Sequence, residues 1–278
     1  TSPNLREWTV ASGTEGDPTG KPYLYECPDI FELTVDGNPA NRKWVLTAAN
    51  SEYAVGTFDG IRFTPEHSRL PGHRGRGFYA AQTFSDIAPA DGRRIQVGWF
   101  QTETRGMPFN QSMTVPLELG LISTEQGPRL TVAPVRELAV LRTSSRDLAT
   151  TTITPGAPNP LANLGSELVE IETEFTPGSA HEVVFRVRGA TVAYDVRTQE
   201  LVVQDVRASA PLRQGRQKLR ILCDRTGLEV FGSDGLCYIP FPFQPEANDS
   251  ALAVEVRGGP VPFSALRVHA LRSGWTKP

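Results

Sequence analysis

The sequence predicts an all-β protein, on three observations. Gly and Pro number 25 and 23 and are scattered, cutting the chain into pieces too short for long helices. Several pieces alternate with period two, as in Val169-Glu170-Ile171-Glu172-Thr173-Glu174-Phe175, which reads as a half-buried strand. Asp59-Gly60, Asp91-Gly92 and Asp234-Gly235 supply the positive-φ residues that tight hairpins need. No helical pattern longer than about two turns competes.

Strands are expected, in order, at 43–48, 77–84, 94–100, 167–175, 182–187, 218–223, 228–231 and 252–256. The first of these are aromatic-rich, and an aromatic strand followed by a Gly turn recurs about every 15–20 residues, as in propeller blades. Beyond a boundary near 130–145 the alternation is cleaner and the loops blander, apart from the Pro/Gly/Asn-rich stretch 150–165. This places a first domain at 1–135 and a sandwich-like domain at 136–278. On the sandwich strands Glu170, Glu172, Glu174, Arg186 and Arg188 read as outward faces.

The composition narrows the function classes. The 278 residues are 39% hydrophobic and 21% charged, enough to form a core of useful size. With 28 basic and 31 acidic side chains the net charge is −3, without the basic excess of a nucleic-acid surface. No apolar run approaches the roughly 18 residues of a membrane span. Thr1 is not an initiator Met and nothing near it reads as a signal peptide, so a processed or truncated piece is expected. Cys27, Cys223 and Cys237 are too few and scattered for a disulfide framework, and all are read as thiols. His67, His73, His181 and His269 show no ligand spacing, so neither metal nor cofactor is implied.

The most informative chemistry is Tyr25-Glu26-Cys27-Pro28-Asp29-Ile30-Phe31. A carboxyl set among a tyrosine, a thiol and a proline at a strand mouth is in surroundings that disfavour its charged form, as a general acid requires. Alone, the run is equally a surface Glu beside a strand. Asp29 fits either a sugar contact or a backbone cap.

The order of motifs then resembles the C-terminal half to two thirds of glycoside hydrolase family 32, the invertases, inulinases and levanases. Ser2-Pro3-Asn4-Leu5-Arg6-Glu7-Trp8 is similar to the family's S-x-D-L-x-x-W strand, and Glu26-Cys27-Pro28-Asp29-Ile30-Phe31 to E-C-P-D-L-F. Tyr53 to Gly60 with Phe63 resembles Y-x-x-G-x-F-D-G-x-x-F, and Gly77 to Phe84 resembles D-F-Y-A-x-Q-T-F. Arg93 to Trp99 resembles R-R-I-x-I-G-W, and the segment 107–119 loosely follows S-x-P-R-E-L. Asp224 to Phe231 with Asp234-Gly235 resembles D-R-S-S-V-E-V-F-x-N-D-G.

The resemblance implies a five-bladed β-propeller, here partial, followed by a β-sandwich. It implies a retaining two-carboxylate mechanism with Glu26 as acid/base, and a secreted or periplasmic location. Asp29, His73, Tyr79 and Trp99 are the candidate substrate contacts, with Arg74 beside His73. The family's nucleophile motif N-D-P-N-G and its R-D-P motif do not occur in this sequence; Asp17 in Gly16-Asp17-Pro18-Thr19-Gly20 lies too close to Glu26 and reads as a turn. His73 and Gly77 stand where the family's D-x-G-x-D-F-Y-A carries acids, and Phe100-Gln101 follows Trp99 where the family continues with Asn and Trp.

The expectation is therefore a piece of a hydrolase of levan, inulin or sucrose, inactive alone. Its partners would be a saccharide and either the upstream blades or a second copy; neither nucleic acid nor membrane is expected. The alternatives are a non-catalytic carbohydrate-binding protein on the same fold, and a five-bladed glycosidase acting on arabinan or xylan.

Overall fold

The computed structural model describes residues 1–13, 26–148 and 150–275. The protein is all-β, part of a β-propeller followed by a β-sandwich. The first sheet holds β1 (Asp29–Val35), β2 (Asn38–Thr47), β3 (Tyr53–Phe58), β4 (Phe63–Pro65), β5 (Phe78–Thr83), β6 (Arg94–Phe100), β7 (Ser112–Met113), β8 (Leu117–Ile122) and β9 (Arg129–Pro134). Strands β1 to β4 form one antiparallel meander; β5, β6, β8 and β9 form a second, with β7 paired to β6. Among the described residues, only the parallel pair Val35↔Leu121 joins them in the ladder. Asp36 reinforces that joint: its N–H donates to the Leu121 carbonyl at 2.9 Å, and its carboxylate accepts from the Ser123 N–H and hydroxyl at 2.9 and 2.6 Å.

After a 3-10 turn at Arg136–Leu141 the chain continues with β10 (Arg142–Asp147), β11 (Thr151–Ile153), β12 (Val169–Phe175), β13 (Glu182–Val187), β14 (Ala190–Asp195), β15 (Glu200–Val203), β16 (Val206–Ser209), β17 (Gln217–Cys223), β18 (Gly227–Gly232), β19 (Cys237–Pro242), β20 (Leu252–Arg257) and β21 (Val261–Leu271). One sheet runs β10-β21-β12-β17-β18-β19 with β11 on β21; the other runs β16-β15-β14-β13-β20. Between them lie Ile171, Phe175, Phe185, Tyr194, Ile221, Val230 and Phe263, all buried. Each such side chain contributes about 1.5–3 kcal/mol of burial.

The larger sheet is apolar on both faces. In β17, β18 and β19 the residues Ile221, Val230 and Ile239 enter the sandwich core, while their neighbours Leu222, Phe231 and Tyr238 join the core of the first sheet beside Phe31, Phe78 and Val132. Phe231 stacks on Tyr238 at 4.7 Å, and Phe78 meets Tyr238 edge-on at 6.1 Å. The sheet is thus a wall shared by both halves.

Several expectations fit this picture. Strands β6 and β13 span the expected residues. Asp59 closes the β3–β4 hairpin by accepting from the Ile61 and Arg62 N–H groups at 2.8 and 2.7 Å. Cys27, Cys223 and Cys237 are free thiols, the last two buried on strands separated by β18.

Two expectations fail. The segment 2–8 is not a strand: the Asn4 side-chain oxygen accepts from the Arg6 and Glu7 N–H groups at 2.9 and 3.0 Å, with Leu5 at φ +61°, and this turns the backbone. Nor do all the charge stripes face outward. Glu170 is 0% exposed, its carboxylate between Arg142 (2.7 Å) and Arg220, because that side of the sheet packs on the first domain. Glu172 and Glu174 are half-buried. Arg188 is buried and donates to the carbonyls of Asp249, Glu167 and Asp224 at 2.8, 2.5 and 3.4 Å; Arg186 alone is exposed.

Candidate active site

Glu26 sits just before β1, where the chain enters the first meander. Cys27 takes φ +45°, a left-handed conformation that costs an L-residue about 1–2 kcal/mol and must be held by its surroundings. The holding comes from β5, the first strand of the second meander. The Tyr79 hydroxyl donates to Glu26 Oε2. Gln82 Nε2 donates to the Cys27 carbonyl at 3.1 Å. Thr83 gives its N–H and its hydroxyl to Asp29 Oδ2 at 2.9 and 2.6 Å. From β2's end, the Ala49 N–H donates to the Glu26 carbonyl at 2.9 Å, and Ala49 in turn accepts from Ala81 at 3.2 Å.

Glu26 is therefore brought to Tyr79, and Asp29 to Thr83, across the gap between meanders. The apolar enclosure read from the sequence does not surround Glu26 among the described residues: Glu26 and Pro28 are exposed and Cys27 is half-buried, because these residues precede the packed strand. Tyr25 and Asp17 lie outside the described residues. The Asp29 carboxylate accepts both Thr83 donors, tying β1 to β5.

Trp99 is the ladder partner of Tyr79, is 38% exposed, and lines a cavity of about 610 Å3 between the domains with Phe109, Met113, Leu222 and Trp275. Glu26 does not line that cavity.

His73 is taken up elsewhere. Its Nδ1 accepts from the Gly75 N–H at 3.1 Å, its ring lies 5.0 Å from Phe78, and burial, with Arg74 nearby, pushes its pKa down to about 4. The segment runs along β19, with the Arg74 and Arg76 N–H groups donating to the Tyr238 and Pro240 carbonyls, each at 2.8 Å. A Cβ on Gly75 would lie 1.8 Å from the Pro240 oxygen, so only glycine permits this approach. Arg76 reaches Asp205 at 2.6 Å.

Two models of one family match the chain: "Glycosyl hydrolases family 32 N-terminal domain" over residues 1–134 and "Glycosyl hydrolases family 32 C terminal" over residues 137–270. The chain belongs to glycosyl hydrolase family 32. It is 34% identical to a levanase of Bacillus subtilis over 99% of its own length, but spans only 47% of that protein. A levanase of Bacillus sp. strain L7 is 32% identical, with 34% of its length covered. Among solved structures, the exo-inulinase of Aspergillus awamori superposes with a TM-score of 0.81 at 21% identity, over 99% of this chain and 62% of that one.

This family-32 chain carries a buried carboxyl that the sequence reading passed over. Glu229 on β18 is 6% exposed and lines the interdomain cavity. It accepts from the Val115 N–H at 2.8 Å and from the Tyr238 hydroxyl at 2.5 Å; burial pushes its pKa up to about 7 despite both bonds, and Asp224 adds to the rise. Its signal was an acid inside the apolar run Leu228-Glu229-Val230-Phe231. Glu170, Glu172 and His269 also gather their ligand atoms within 4.8 Å. Arg142 and Arg220 already hold those carboxylates, so the donor set is balanced by guanidinium and does not suit a cation.

Proposed function

We propose that this chain supplies the acid/base portion of a retaining hydrolase of fructans or fructosyl sugars, with Glu26 as the proton donor. The observation that carries the reading is the position of Glu26 within the family's E-C-P-D motif, with its carboxyl held by Tyr79 at the head of the first meander. Glu26 would protonate the glycosidic oxygen as the bond to the fructosyl carbon breaks, while a carboxylate from another segment captures that carbon. Glu26, now ionised, would then take a proton from the water that releases the sugar. That second carboxylate would come from an N-D-P-N-G motif, which these 278 residues do not contain.

Support for the substrate class comes from relatives. The Bacillus subtilis protein is called a levanase, and the Schwanniomyces occidentalis fructofuranosidase was solved with fructosylnystose. The Aspergillus niger relative is called an extracellular exo-inulinase, and we take this chain to act outside the cytoplasm as well. No helix among the described residues is long and apolar enough to cross a membrane.

The test is fructose release from levan, inulin and sucrose by the polypeptide that unites this chain with nucleophile-bearing blades. Glu26→Gln should lower turnover about 10²–10⁴-fold; wild-type rates in that variant would refute the assignment. A second reading, a binding protein without chemistry, draws on His73 and Gly77 standing where the family has acids. Binding of fructo-oligosaccharide without hydrolysis would favour it.

A further inference from the structure

We propose that Tyr79 is a positioning residue for the Glu26 carboxyl and that a bulge in β5 is what aims it there; this rests on the reading of Glu26 as the acid/base. In a regular strand, residues three apart point to opposite faces. Tyr79 and Gln82 are three apart, yet both reach the segment 26–27. The pairing with β6 explains how. Tyr79 pairs with Trp99 and Gln82 with Val97, so β5 holds one residue more than β6 over that interval, and Ala80 takes φ +47°. The extra residue restores both side chains to one side.

The same clamp continues to Thr83 on Asp29, so the left-handed turn at Cys27 is gripped on both flanks. The glycines ahead of Tyr79 anchor the strand in turn. Gly75 lies against Pro240, and a Cβ on Gly77, at φ +75°, would lie 2.7 Å from Pro242, both on β19. The sandwich therefore fixes the start of β5.

Chemically, a hydroxyl donated to Oε2 leaves Oε1 as the oxygen that carries the transferable proton. Once that proton has passed to the leaving oxygen, the same hydroxyl steadies the carboxylate until it accepts a proton from water. The Tyr79 proton itself never leaves.

The test compares Tyr79→Phe with wild type and Glu26→Gln in the hydrolysing polypeptide described above. The substrates are fructo-oligosaccharide and fructosyl fluoride, whose leaving group needs no proton. Expected for Tyr79→Phe are a kcat lower by about 10- to 100-fold on oligosaccharide with KM little changed, a smaller loss on the fluoride, and an alkaline limb of the pH–rate profile displaced to higher pH. Gln82→Leu removes a clamp contact that does not touch the carboxyl, so it should leave that limb in place. Equal kcat and equal pH profiles for Tyr79→Phe and wild type, with Glu26→Gln inactive, would overturn the role of Tyr79 alone. Parallel losses of kcat and of Tm in both clamp variants with an unmoved limb would reduce Tyr79 to a structural contact and also overturn it. Full activity of Glu26→Gln, or no hydrolysis by wild type, would instead remove the reading on which the proposal rests.

Discussion

Raising the pH from 5 to 8 should weaken the seam between the two halves through one carboxyl, Glu229. In the folded protein its pKa is pushed up to about 7, against 4.5 for an ordinary Glu, chiefly by burial. Below pH 4.5 the group is protonated folded or unfolded and contributes no pH dependence. Between 4.5 and 7 only the folded state keeps the proton, so stability falls as pH rises. Above 7 the loss is complete. At 1.36 kcal/mol per unit the rise from 4.5 to about 7 corresponds to about 3 kcal/mol, or on the order of 5 °C in Tm for a chain of this size. Glu229→Gln should abolish the effect, because an amide oxygen still accepts from the Val115 N–H while its NH2 can face the Tyr238 oxygen. The assay is thermal or urea unfolding of both proteins from pH 5 to 8, read as their difference so that other titrating groups cancel. Wild type should lose most of that, about 2–3 kcal/mol, relative to the variant over that range. Parallel curves would refute the reasoning.

Two further outcomes concern the seam and the sandwich. Gly75→Ala should cost about 1–3 kcal/mol or more, since its Cβ would meet the Pro240 carbonyl, itself the acceptor for Arg76. Urea midpoints would check it, and the loss should spread to activity by shifting β5. Arg188→Met should cost roughly 2 kcal/mol by removing the charged hydrogen bonds that the buried guanidinium gives to the carbonyls of Glu167, Asp224 and Asp249, measured by the same unfolding curves.

What was legible in the sequence was what period and turn chemistry determine. Arg94–Phe100 was expected as a strand and is one over those residues; Asp59-Gly60 became a hairpin because its side chain can close the turn. Period two reports which residues share a face, not what covers that face. Glu170 therefore read as solvated, whereas the first domain and two guanidiniums cover it. The same blindness hid Glu229, whose partner Val115 lies 114 residues away. Near Glu26, the motif was legible and the clamp was not. A bulge breaks the alternation on which strand reading depends, so the shared direction of Tyr79 and Gln82 followed only from the register with β6. His73 was read by analogy to a sugar-binding acid, but the contact that decides its place is a backbone approach to β19.

Strands β17 to β19 behave as a party wall between two rooms. Ile221 and Val230 press on one side of it, Leu222, Phe231 and Tyr238 on the other. Close-packed interiors transmit small volume changes, so a methylene added on the sandwich side displaces furniture next to Phe78, one residue before Tyr79. The two halves of this chain cannot be renovated separately: sequence drift in one must be answered in the other, and a sandwich borrowed from a distant cousin would bring the wrong wall.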